Sequence, residues 1–230
     1  MLYESTVFSL VIQIITAIID VLGLRIPIED DDEGLKDLLR LELGVQIIEA
    51  GFYVLLLRHF SQITNITPYR YFDWVVTTPT MLVTLMAFLA PQRKRLLPFL
   101  RDNRRNVISV VLMNFLMLLA GFLGEVGVLG MTTASVLGFI PFLGYFSLIY
   151  WRYMKPNEGI EEPAELQFKR SIYWYFVVFW TLYGVASFMP YVAKNMSYNI
   201  LDLFAKNFFG VFLVWLLWRR RATKPTSADK

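Results

Sequence analysis

Cysteine is absent from the 230 residues, and histidine occurs once, as His59. Without cysteine there is no disulfide framework, no thiolate nucleophile and no Cys-based zinc or iron–sulfur site. A single histidine excludes a His-cluster metal site and makes a Ser-His-Asp triad a poor reading. Charge is scarce as well: 18% of residues are charged and 56% are hydrophobic, whereas a soluble surface needs about 25% charged residues. These shortages exclude disorder, collagen and a basic nucleic-acid-binding domain, and they argue against a soluble globular domain. No basic n-region precedes the first apolar run, so no signal peptide is expected.

What the chain has is long apolar runs. Roughly 20 apolar residues cross the hydrocarbon of a bilayer. Seven such runs are readable, at about 6–24, 37–58, 70–90, 106–126, 131–151, 171–193 and 198–218. They use nearly the whole chain, so the expectation is one all-α membrane domain: a seven-transmembrane-helix bundle over 1–230, with residues 219–230 as a basic tail. Short connections make neighbouring helices antiparallel.

The net charge of +3 hides an uneven distribution. Arg93, Lys94, Arg95, Arg101, Arg104 and Arg105 follow the third run. Arg152, Lys155, Lys169 and Arg170 follow the fifth, and Arg219, Arg220, Arg221 and Lys224 follow the seventh. Alternating spans put all three groups on one face, which the positive-inside bias makes cytoplasmic. The N-terminus is then outside and the C-terminus inside. The acidic stretch Glu29, Asp30, Asp31, Asp32 and Glu33 is discordant on that face. It reads as a solvated turn that caps the helix beginning near Leu35.

Ionisable residues inside a span cost about 2.5–3.5 kcal/mol each on insertion scales. This chain has Asp20, Glu42, Glu49, Arg70, Asp73, Asp202 and Lys206 there. Arg70 and Asp73 (i, i+3) share a helix face, as do Asp73 and Thr77, and Asp202 and Lys206 (both i, i+4). A neutral cluster of buried ion pairs explains such a set. So does a lysine that carries a carbonyl cofactor between carboxylate counter-ions.

The local strings favour the second. Arg70-Tyr71-Phe72-Asp73-Trp74-Val75-Val76-Thr77-Thr78-Pro79 and Asp202-Leu203-Phe204-Ala205-Lys206-Asn207-Phe208-Phe209-Gly210 closely resemble the third and seventh helices of the microbial (type 1) rhodopsins. Trp180-Thr181-Leu182-Tyr183 is similar to that family's sixth-helix ring contacts. The resemblance covers all seven runs. It implies all-trans retinal held by Lys206 as a protonated Schiff base, with no enzymatic chemistry. It makes Asp73 the primary counter-ion and proton acceptor, Asp202 the second counter-ion and Arg70 the outer closure of the cluster. Thr77 is then the hydroxyl bonded to the acceptor, and Tyr53 the tyrosine bonded to the second counter-ion. Trp74, Thr78, Met81, Met117, Gly121, Trp180 and Tyr183 fall at retinal-pocket positions. Ser187 replaces a family tryptophan.

Departures from the family pattern bear on function. A proton pump of this family usually carries a carboxylate donor eleven residues after the acceptor. That position is Thr84, ~16 Å along the axis, and it cannot supply a proton. The segment Val192-Ala193-Lys194-Asn195-Met196-Ser197, expected to link the last two spans, has no carboxylate to release one. The second span offers substitutes. Glu42 falls opposite Thr84, and Glu49 lies seven residues on, near the level of the Schiff base. With Gln46 they form a polar stripe that Asp20 could extend, and such a stripe is costly unless it lines water. Glu49 and Asn207 resemble the central gate of channelrhodopsins, with Ser9 as the candidate third member. Both features also resemble the small viral rhodopsins of giant algal viruses. The expected function is a light-gated cation channel, since acid-lined paths select cations. An outward light-driven proton pump with Glu42 as donor is the alternative, and a sensory photoreceptor stands third. The expected surroundings are a lipid bilayer of the plasma or another host-cell membrane, cations or protons, and a second copy of the chain in a homo-oligomer.

Overall fold

The computed structural model describes residues 1–91 and 95–223, with the side chains of 31, 222 and 223 set aside. Arg93, Lys94 and Lys224, counted above as cytoplasmic charge, lie outside the described residues. So do the side chain of Asp31 and most of the basic tail.

Among the described residues the chain is helical throughout, with no strand. The first three spans are α1 (Leu2–Gly23), α2 (Glu33–Arg58) and α3 (Thr67–Leu89). A short helix α4 (Leu96–Asp102), not foreseen from the sequence, precedes α5 (Arg104–Glu125). Then come α6 (Met131–Ile149), extended by a π-helical stretch Tyr150–Met154, and α7 (Pro163–Ala186). The last span is built in three pieces: α8 (Tyr191–Asp202), a π-helical stretch Leu203–Asn207 and α9 (Phe208–Thr223). These rods form a closed ring in chain order, with α9 returning to pack on α1 and α2.

The bundle is inside-out by the standard of a soluble protein. Thr6, Ser9, Gln13, Thr16, Asp20 and Gly23 are the buried residues of α1. Its exposed residues include Phe8, Val11, Ile14, Ile15, Ile18 and Leu22. Apolar side chains gain little from leaving lipid for another helix, so close packing and polar contacts hold such a bundle together. Small residues supply the close packing. A Cβ placed on Gly124 would meet Ala134 at 2.6 Å, which shows how tightly α5 and α6 approach.

Five stretches are long and apolar enough to cross a membrane on composition alone: α1, α3, α5, 131–157 and 191–221. Helices α2 and α7 have the length, at 26 and 24 residues, but carry more charge. In α2 the excess is turned inward, with Glu42, Gln46 and Glu49 buried while Ile47, Ile48, Val54 and Leu55 face out. In α7 it sits in the first turns, where Lys169 is buried. Its Nζ donates to the Ala90 carbonyl at 3.1 Å and pairs with Glu161 at 2.5 Å, capping the end of α3.

Two sequence expectations are corrected. The sixth span ends at Ala186, and the seventh begins at Tyr191, directly after Pro190, whose fixed φ opens a helix well. Residues 192–197 are therefore the first turns of α8, and the link is Ser187–Pro190. Asp32 precedes α2 but makes no capping hydrogen bond. It pairs with Arg220 at 2.5 Å, and Glu33 lies 3.4 Å from Arg95. The acidic turn is thus partnered by the basic ends of the third and seventh spans.

Candidate functional site

The π-helical stretch 203–207 widens the last span where the lysine sits, and such turns recur at functional positions. A backbone carbonyl in this stretch, that of Phe204, accepts from the Tyr175 hydroxyl on α7.

Lys206 points into the bundle and is fully buried. Its Nζ lies 2.5 Å from Asp73 Oδ2, 3.4 Å from Asp202 Oδ1 and 3.6 Å from Glu49 Oε1. These carboxylates come from α3, the end of α8 and α2, so three elements meet on one amine. Arg70 is the second cation, with Nη1 3.4 Å from Asp202 Oδ2. A charge at this depth is tolerable only when paired and hydrogen-bonded. Asp202 meets that condition best: the Tyr53 hydroxyl donates at 2.7 Å and the Tyr183 hydroxyl at 2.6 Å.

Two asparagines complete the shell of Arg70. Its Nε donates to Asn195 Oδ1 at 3.0 Å, and its Nη2 to Asn199 Oδ1 at 2.5 Å. Asn199 Nδ2 in turn donates to Ser5 at 2.9 Å and Thr6 at 3.1 Å on α1. Neither asparagine was singled out from the sequence. Both stand on the Asp202 face, seven and three residues before it, and that spacing was the available signal. Glu125 was also missed. It ends α5 and pairs with Lys194 of α8 at 2.8 Å.

Other expected members sit differently. The Thr77 hydroxyl donates to the Asp73 backbone carbonyl at 2.9 Å and not to the carboxylate, whose Oδ1 has no hydrogen-bond partner. An i−4 carbonyl is the nearest acceptor for a helical threonine, and here it wins. Arg70 pairs with Asp202, while the Asp73 carboxylate turns to Lys206. Ser9 donates to the Asn199 carbonyl at 3.2 Å, so it does not join Glu49 and Asn207. Glu49 and Asn207 are both buried, and no hydrogen bond links them. The wider π turn offsets Asn207 from the register an ideal α-helix would give. Glu42 is buried with neither oxygen hydrogen-bonded in full geometry. Thr84 is its hydroxyl neighbour, as expected, while also donating to the Thr80 carbonyl at 3.2 Å.

A cavity of about 670 Å³ begins at Lys206 and runs between α3, α5, α6 and α7. Trp74, Thr78, Met81, Met117, Gly121, Trp180 and Tyr183 all line it. Trp74 stands edge-on to Tyr183 and Tyr198, at 5.4 and 5.1 Å between ring centroids. Aromatic walls, the Lys206 amine and no other Lys or Arg among the described lining residues fit a long apolar carbonyl compound such as retinal. Gly121 keeps the wall thin: a Cβ there would meet the Tyr71 hydroxyl at 2.7 Å. Ser187 also lines the cavity, where a tryptophan would narrow it.

Residues 4–220 match the family model described as bacteriorhodopsin-like protein. The chain is 24% identical over 159 residues to the green-light absorbing proteorhodopsin of Gamma-proteobacterium EBAC31A08, covering 65% of this chain and 60% of that protein. It is 27% identical over 172 residues to sensory rhodopsin I of Haloarcula marismortui, covering 71% and 66% respectively. The matched region thus spans about 60% of the length of the proteorhodopsin. Among solved structures, the viral rhodopsin OLPVRII superposes with a TM-score of 0.77 at 26% identity, covering 95% of this chain and 98% of that one. Xanthorhodopsin, a light-driven ion pump with dual chromophore, superposes with a TM-score of 0.74 at 17% identity, covering 96% of this chain and 94% of that one.

Proposed function

The chain belongs to the bacteriorhodopsin-like family, and from that premise we propose that it is a light-gated cation channel whose path runs along α1, α2 and the last span. Retinal, the cofactor of this family, supplies light absorption and a change of shape when bound through the Lys206 amine. The chain's own residues do the rest.

Asp73 neutralises the Lys206 nitrogen and is placed to take its proton, with donor and acceptor 2.5 Å apart. Protonating Asp73 removes one anion from the cluster, so Asp202 and Glu49 must rebalance against Arg70 and Lys206. That rearrangement is the two-state element a switch requires. Asn207 follows Lys206 directly, so a shift of the lysine backbone moves it relative to Glu49.

The observation that carries the channel reading is a set of buried polar side chains along α1, α2 and the last span. Ser9, Gln13, Thr16 and Asp20 on α1 face Glu42, Gln46 and Glu49 on α2, with Asn199 and Asn207 on the last span. Seven carboxyl, amide or hydroxyl side chains on two helices are far more than structural bonding needs in lipid, where polar surface is tolerated when it lines water. Carboxylates along such a path lower the barrier to cations and raise it to anions. We assign the N-terminus to the outside and the C-terminus to the cytoplasm, because the described basic residues Arg95, Arg101, Arg104, Arg152 and Arg219 gather at one end.

The alternative is an outward proton pump. It is favoured by one observation: Glu42 is a buried acid with unbonded oxygens beside Thr84, as a proton donor on α2 would be. Proteoliposomes without any ion gradient separate the readings. Under steady light the channel leaves the external pH unchanged. A sustained light-driven pH change abolished by a protonophore would establish the pump.

A further inference from the structure

The glycine that closes the Asp202–Gly210 string has no part in the chemistry above, and it is not at a turn: Gly210 lies within α9. A Cβ placed there would collide with the Asp20 carboxylate and the Gln46 amide, closer than any real contact. The glycine therefore makes room for a specific pair from two other helices. Gln46 Nε2 donates to Asp20 Oδ2 at 2.6 Å, and Thr16 donates to Gln46 Oε1 at 3.2 Å, which sets the amide's orientation. Asp20 is completely buried and its Oδ1 has no partner. One helical turn before Gln46, on the same face of α2, stands Glu42, also completely buried and also without a hydrogen bond. No Lys or Arg forms an ion pair with either acid within 4.0 Å among the described residues.

Two buried carboxyl groups, an oriented amide oxygen and two threonine hydroxyls, Thr16 and Thr84, thus converge between α1, α2, α3 and α9. They lie on the far side of the lysine cluster from Arg70. Oxygen donors with no resident cationic side chain are the chemistry that replaces part of a small cation's hydration shell.

We propose that Asp20, Gln46 and Glu42, seated by Gly210, form a cation-binding station that sets which monovalent cations cross the cytoplasmic half of the path. This rests on the channel reading. Asp20 is the selecting group, because its Oδ1 is unbonded while Gln46 holds Oδ2. A larger residue at 210 pushes the pair apart and closes the station without touching the lysine cluster.

Whole-cell voltage clamp on the retinal-loaded protein tests it, with external sodium exchanged for N-methylglucamine at fixed pH. In the wild type the reversal potential follows sodium. In Asp20→Asn the permeability to sodium relative to protons falls and the reversal potential no longer follows sodium, as removing an acidic oxygen ligand from a narrow path predicts. Gly210→Ala gives the same direction of change. Both variants keep the wild-type absorption band, which shows that they fold and load. Wild-type selectivity in both variants, with wild-type currents, overturns the station and leaves the channel standing. A wild-type current that never reverses overturns the channel reading, and the station with it.

Discussion

Glu49 Oε1 lies 3.6 Å from Lys206 Nζ, within the same shell as Asp73 and Asp202. Three carboxylates therefore share two cations, Lys206 and Arg70, and one proton among them makes the cluster neutral. Removing the carboxyl group of Glu49 alters the same balance of charge and proton as removing that of Asp73. Glu49→Gln is expected to change the amplitude of the photocurrent and to shift the absorption band, whereas a residue that only bridges helices would leave the band in place. An unchanged spectrum and current in Glu49→Gln would detach it from the switch.

Lys206→Ala removes the one amine among the described residues lining the cavity. The variant is expected to form no visible pigment with all-trans retinal. It also leaves Asp73 without its cation, and breaking a buried pair costs about 3–5 kcal/mol, so the apoprotein should melt lower. A coloured Lys206→Ala protein would end the retinal reading.

Asp73→Asn takes away the anion nearest the Lys206 nitrogen. The positive charge on the loaded lysine is then less localised near its counter-ion, and the absorption maximum moves to the red. If the spectrum stays where it is, Asp202 and not Asp73 is the main counter-ion.

Asn199 links Arg70 to Ser5 and Thr6 through 2.5, 2.9 and 3.1 Å hydrogen bonds. Asn199→Ala leaves a buried guanidinium group short of an acceptor, at a cost of about 1–3 kcal/mol. Thermal unfolding of the pigment in detergent should show a lower Tm. A Tm equal to wild type would mean that Arg70 finds another acceptor.

Glu42→Gln keeps the shape of the side chain but removes its acid. Recovery of the dark state after a flash should slow, and external azide should restore it, if Glu42 returns the proton. Identical decay in both proteins would leave Glu42 as part of the cation path only.

Much of this was legible in the sequence. Seven apolar runs led to the seven rods, because a bilayer demands both length and hydrophobicity. The shared face of Asp202 and Lys206 followed from helical spacing, whereas the pairings of Lys206 with Asp73 and of Tyr53 with Asp202 were implied by the family resemblance. What stayed hidden depends on backbone detail. Thr77 turns to a carbonyl of its own helix, a choice that spacing does not distinguish from the neighbouring carboxylate. The π turn at 203–207 shifts Asn207 relative to Glu49, and no residue in that stretch announces it. The helix start at Tyr191 was read too late because Lys194, Asn195 and Ser197 look like a loop, although they are the polar first turns of α8. The role of Gly210 needed the third dimension, since Asp20 and Gln46 are distant in the chain.

The most direct test of the account is the current–voltage relation of the photocurrent under clamp, with sodium or potassium gradients imposed across the membrane. A path lined by Asp20, Glu42 and Glu49 carries cations down their gradient, so the current changes sign at a potential that moves with the gradient. A current that stays outward at every voltage and ignores the cation gradient would contradict the channel and make Glu42 the donor of a proton pump.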